Sequence, residues 1–136
     1  MGTESVPAIA SSGVETGSPR RILVVDDDND LRRLTVDVLV AAGYDVESAP
    51  DGAAGWEVLQ VKKYDLVITD NHMPRLTGME MIAKIRSAHL TIPIIIATRT
   101  LPTNIITHNP WLKPDASLQR PFSNDDLVTT VKKVLS

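Results

Sequence analysis

Three acidic residues stand where buried apolar runs stop. The string RILVV over residues 21–25 runs into Asp26, Asp27 and Asp28, and the string LVIT over residues 66–69 runs into Asp70. In a parallel α/β sheet the ligand crevice lies outside the carboxyl ends of neighbouring strands, so acids at two such ends converge. Carboxylates held together repel. The repulsion is relieved either by one of them keeping its proton or by a hard divalent cation with oxygen ligands, for which Mg²⁺ is the natural candidate.

Such acids need a scaffold, and the chain alternates between two periods in the way a strand–helix–strand architecture requires. Residues 22–25 form a continuous apolar run, as expected of a strand covered on both faces. Leu31, Leu34, Val38, Leu39 and Ala42 then recur at helical spacing up to Gly43, which predicts an amphipathic helix with those five residues inward. A short strand over 44–48, a helix over 52–61 and a strand over 66–69 follow. Met79, Ile82, Ala83 and Ile85 mark a third helix, and residues 92–97, β-branched nearly throughout, a fourth strand. A fifth strand is expected over 116–119. Beyond it Ser123 and Asp126 have capping-box spacing and open a helix with Leu127, Val128, Val131, Val134 and Leu135 inward. The expected fold is α/β, a doubly wound five-stranded parallel sheet.

Composition narrows the function. The 136 residues, 43% hydrophobic, supply one sizeable core. A net charge of -3 and the lack of a long Lys/Arg run argue against nucleic acid and anionic membranes as partners. No apolar stretch approaches the ~20 residues of a membrane span. The absence of cysteine rules out disulfides and fits a cytoplasmic location. Residues 1–19, rich in Gly, Ser, Thr and Ala, read as a disordered leader, and residues 20–136 as the folded domain.

Four blocks together resemble a known family: ILVVDDD over 22–28; DLVITD over 65–70 with Met73, Pro74 and Gly78; PIIIAT over 93–98; and RPF over 120–122. In order and separation they are similar to the receiver domain of two-component response regulators, a flavodoxin-like fold, over about residues 21–136. The resemblance implies that Asp70 is the phosphoacceptor, attacking the phosphorus of a phosphohistidine or small phosphodonor. It implies that Asp27 binds Mg²⁺ directly and Asp26 directly or through water, with Asp70 and the backbone carbonyl of His72 completing the ligands. Thr98 would hydrogen-bond a phosphoryl oxygen. The implied partners are a histidine kinase or phosphotransfer protein and a downstream protein target. Asp28 is assigned to capping the first helix.

Two departures qualify the resemblance. The family usually has Lys before the final Pro-Phe, and Arg120 keeps the charge but not the geometry. It either holds the phosphoryl group in a shifted pose or turns outward. The family's aromatic switch residue is replaced by Ser117, and Pro102, Pro110 and Pro114 break residues 99–115, so the fourth helix is shortened or irregular, with a helical turn only over 103–108 and few residues able to pack. Arg99, beside Thr98, reads either as a gate or phosphate contact over the site or as an exposed loop residue. Trp56 and Trp111 read as packing residues, and His72 as an exposed loop histidine. The leading expectation is a stand-alone receiver, not an enzyme in its own right. A degenerate receiver acting as an interaction module is the alternative. A third reading, a Mg²⁺-dependent phosphatase with an aspartyl nucleophile, lacks the second acid two residues on, where His72 stands.

Overall fold

The computed structural model describes residues 19–136; the leader expected over 1–19 lies, but for its last residue, outside the described residues. In chain order the elements are β1 (Arg21–Val25), α1 (Asn29–Ala41), β2 (Asp45–Ala49), α2 (Gly52–Leu59), β3 (Leu66–Thr69), α3 (Gly78–Ser87), β4 (Ile94–Thr98), α4 (Thr103–His108), a 3-10 turn (Pro110–Leu112), β5 (Ala116–Gln119) and α5 (Asn124–Leu135). The strands form one parallel sheet in the order β2-β1-β3-β4-β5. The doubly wound architecture expected from the alternating periods is the one observed.

Strand residues alternate between two cores, as the pleat demands. Leu23, Val25, Val67, Ile94 and Ile96 face a cluster completed by Met81, Ile82 and Ile85 of α3. Ile22, Val24, Ile68, Ile95 and Ala97 face a second cluster with Leu39 of α1 and Leu127 and Val131 of α5. A sheet buried on both sides explains why the strands are apolar without alternation.

Helix ends follow local chemistry. Asp28 caps α1, its carboxylate accepting the N–H groups of Asp30 and Leu31 at 3.0 Å each. Ser123 and Asp126 form the reciprocal box expected at α5, and Thr77 with Glu80 forms another at α3. Past α1 the chain turns back through Gly43 at φ 100, a backbone setting open to glycine.

Three expectations change. Leu34 and Ala42, expected inward, are exposed, Leu34 by 60%. Thr35 takes the core face instead, because its hydroxyl donates to the Leu31 carbonyl at 2.9 Å and so enters the interior satisfied. Residues 99–115 hold only the short α4 and the 3-10 turn, as the prolines require, yet the segment packs more than expected: Leu112 is buried, and Leu101 and Ile106 lie against the first core. Arg86 of α3 fastens its end, donating to the Lys113 carbonyl at 3.1 Å. Trp111 is 54% exposed and contributes little packing, whereas Trp56 lies against the first core.

Asp51 joins α2 to the loop after β3. It accepts the Ala54 N–H at 2.8 Å and pairs with Arg75 at 2.6 Å. These contacts, the Ala54 bond foremost, hold its carboxyl below the usual range. Asp51→Ala should cost about 1–2 kcal/mol at neutral pH, as loss of a helix cap does. A depressed folded-state pKa means that this stability is present above the ordinary carboxylate pKa and is lost as pH falls through the lowered one. Urea unfolding curves of wild type and variant should therefore separate at pH 7 and converge in strong acid.

Candidate phosphoacceptor site

Register decides which residues meet. Val25 of β1 pairs with Thr69 of β3, so the next residues, Asp26 and Asp70, emerge side by side, and the Asp70 N–H donates to the Val25 carbonyl at 3.1 Å. Thr98 of β4 pairs with Gln119 of β5, and one residue on, the Arg120 N–H donates to the Thr98 carbonyl at 2.9 Å. Four strand ends thus deliver their side chains to one crevice. It lies at the β1/β3 boundary, where the strand order reverses and such folds bind their ligands.

Carboxylate oxygens of Asp26, Asp27 and Asp70 lie within 4.8 Å of one another. Asp26 is nearly sealed at 2% exposure, Asp70 is half-buried and Asp27 is exposed. Burial pushes the Asp26 carboxyl above its ordinary value, and the neighbouring Asp70 and Asp27 charges add to this. The Asp28 N–H and the Arg120 guanidinium act in the other direction. A set of close carboxylate oxygens is the donor chemistry a hard divalent cation takes.

Around the acids the loops are fixed by backbone contacts. Asp70 Oδ1 accepts the Asn71 N–H at 2.6 Å and, more loosely, the His72 N–H at 3.4 Å. Asn71, buried, in turn accepts the Met79 N–H on its side chain at 3.0 Å, and its carbonyl accepts the Gly78 N–H at 3.1 Å. Arg32 reaches back from α1 to the Asp26 carbonyl at 2.7 Å. Sequence reasoning did not single out Asn71 or Arg32. Asn71 carries a usable signal, a polar residue directly after an acidic strand end. Arg32, one of two arginines on a helix face, carries none.

Arg120 does not turn outward. Its guanidinium donates from NH2 to Asp26 Oδ2 at 3.1 Å and lies 5.2 Å from the centre of the Phe122 ring, with the side chain 17% exposed. The partner is Asp26, not Asp70. Its Nε, and the hydroxyl of the fully buried Thr98, have no hydrogen-bond partner among the described residues. Arg99 is exposed and, with Asp27, Asp70, His72 and Arg120, lines an open cavity of about 410 Å³ over the acids. His72 is exposed beside it, as expected of a loop histidine. Ser117 is exposed on β5 and offers no aromatic switch.

Residues 22–132 match the family model of the response regulator receiver domain. The chain belongs to that family. It is 32% identical over 116 residues to the response regulator receiver protein CpdR of Brucella abortus (strain 2308), covering 85% of this chain and 97% of CpdR. Several other curated response regulators match over only about half their own length, 49% to 51%. Among solved structures, a CheY-like receiver domain protein from Methanospirillum hungatei JF-1 superposes with a TM-score of 0.81 at 26% identity, covering 87% of this chain and 94% of that one. TrrA of Thermotoga maritima, in complex with Mg²⁺-BeF, superposes with a TM-score of 0.75 at 32% identity, covering 85% and 99%. This is therefore a receiver domain of the two-component response-regulator class, and its acidic cluster sits at the ends of β1 and β3.

Two substitutions test the receiver pocket's construction. A methyl group on Gly78 would overlap the Asp70 carbonyl oxygen, so Gly78→Ala should destabilise by ~1–3 kcal/mol, as overpacking does, and shift the amide resonances of Asp70 and Asn71. Thr98→Val removes a buried hydroxyl that lacks a protein partner and keeps its shape. It should stabilise the resting protein by about 1 kcal/mol in thermal or urea melts.

Proposed function

We propose that this receiver accepts a phosphoryl group on Asp70 from a phosphohistidine of a histidine kinase or phosphotransfer protein, in a Mg²⁺-dependent reaction, and passes the signal on by protein contact. The observation that carries the reading is the convergence of Asp26, Asp27, Asp70, Thr98 and Arg120 on one crevice from four strand ends.

The tethering of Asp70 Oδ1 by the Asn71 N–H leaves Oδ2 for the attack. As the O–P bond forms, the P–N bond to the donor breaks with its electron pair returning to that nitrogen, so a phosphohistidine ring already protonated on its other nitrogen leaves as neutral imidazole and an acyl phosphate remains on Asp70. Asp26, Asp27, Asp70 and the His72 carbonyl would hold the Mg²⁺. Bound there, the ion would neutralise phosphoryl oxygens and align donor with acceptor. The Thr98 hydroxyl, free of protein partners, is available to a phosphoryl oxygen, and Arg120 brings the second positive charge.

A groove of about 420 Å³ adjoins the acceptor cavity through Arg99 and Arg120, and is lined by Leu31, Leu34, Val38 and Phe122 among others. This apolar margin supports a protein donor in preference to a small molecule alone. The alignment along nearly the whole of CpdR supports a receiver that signals by protein contact, and a cytoplasmic site of action is consistent with the described residues, none of whose helices is long and apolar enough to cross a membrane. The alternative of a degenerate interaction module is disfavoured by the inward placement of Arg120 and Thr98.

Incubation with acetyl phosphate and Mg²⁺ should add the mass of one phosphoryl group, sensitive to chelation of the metal and lost in Asp70→Asn. Absence of the adduct in wild type, or its persistence in Asp70→Asn, would overturn the assignment.

A further inference from the structure

We propose that Asp51 and Arg75 are positioning residues for the loop after β3: their ion pair holds residues 72–76 to the start of α2 and so sets where the His72 carbonyl stands in the pocket. This rests on the reading of that pocket as a Mg²⁺ site with the His72 carbonyl among its ligands.

Arg75 lies at φ 68, in the left-handed region where a side chain crowds its own backbone and where glycine sits without strain. Its side chain offsets that cost. NH2 donates to Asp51 Oδ2 at 2.6 Å, and Asp51 is buried. The other carboxylate oxygen, Oδ1, accepts the Ala54 N–H at 2.8 Å, so the acid is fixed on α2 and does not travel with the loop. A strained segment is thus joined to a firm point on a neighbouring element.

The ends of the loop are closed locally. Asn71 binds the Met79 and Gly78 N–H groups, and Thr77 caps α3. Between those ends Met73 and Leu76 pack on the first core, and Gly52 at the start of α2 lies so close to the Leu76 carbonyl that a methyl group would overlap it. Arg75 fastens the same stretch to the same helix. His72 is exposed, and its N–H reaches Asp70 Oδ1 only at 3.4 Å. Its backbone therefore takes its place from the loop that follows it, and contacts that orient a ligand from outside govern the affinity for the metal.

Two substitutions approach the pair from opposite sides. Asp51→Asn keeps a side chain that caps α2 as well as Asp does, and removes the charge that attracts Arg75. Arg75→Gly removes the pair and the backbone strain together, so its effects on stability oppose each other and the variant stays folded. Calorimetry on the full chain should show Mg²⁺ binding weakened about tenfold in each, the low end of the loss when a residue orienting a metal ligand is removed. The double variant should be within about twofold of either single one, because all three lack the same contact. In the metal-free protein, the His72 and Met73 amide resonances should move in both single variants, a readout of loop position that a purely stabilising pair would leave unchanged. Unaltered Mg²⁺ affinity in either single variant, losses that multiply in the double variant, or stationary His72 and Met73 resonances would each overturn the inference and leave the metal pocket standing. Absence of Mg²⁺ binding by wild type would overturn the pocket and the inference with it.

Discussion

Carboxylates crowded at the ends of β1 and β3 set the terms for the rest of the site. Asp26 is almost wholly buried, and its charge there is costly unless something meets it. The surroundings answer from three directions. A backbone N–H from Asp28 and a guanidinium from Arg120 engage its two oxygens, and its position next to Asp27 and Asp70 leaves a site that a hard cation can complete. The parallel register of β1 and β3 creates this crowding, and both buried faces of the sheet keep the register from slipping.

Three consecutive aspartates carry three different environments. Asp26 continues the line of β1 into the interior, Asp27 lines the open cavity at its exposed edge, and Asp28 turns to cap α1. The cap does more than start a helix. It fixes the turn from which the Asp28 N–H reaches Asp26, and α1 in turn supplies Arg32 to the Asp26 carbonyl. On the other side, Asn71 ties the loop after Asp70 to the start of α3, and Gly78 permits that close approach by having no side chain. Asp70 is thus held between two helix starts.

The segment between β4 and β5 shows how packing can survive the loss of regular structure. Its prolines limit α4 to six residues. Leu101, Ile106 and Leu112 still reach the first core, and Arg86 binds the segment's end through the Lys113 carbonyl. With Ser117 exposed in place of an aromatic residue, this side of the domain is rebuilt relative to the family pattern while the crevice is retained.

The sequence by itself determined the parallel sheet, its five strands and the acids at their ends, because those features depend on periodicity and on residues adjacent in the chain. Caps such as Asp28 and Ser123 with Asp126 were legible for the same reason. Tertiary structure alone decided the partner of Arg120. Asp26 and Arg120 are separated by nearly the whole domain, and only the register of four strands brings them to 3.1 Å. It also decided that Thr35 and not Leu34 faces the core, since a helix stripe fixes which residues share a side but the neighbouring sheet and α5 choose the side that is covered. The pairing of Asp51 with Arg75 and the role of Asn71 belong to the same class, being set by contacts between elements that no spacing in the chain records.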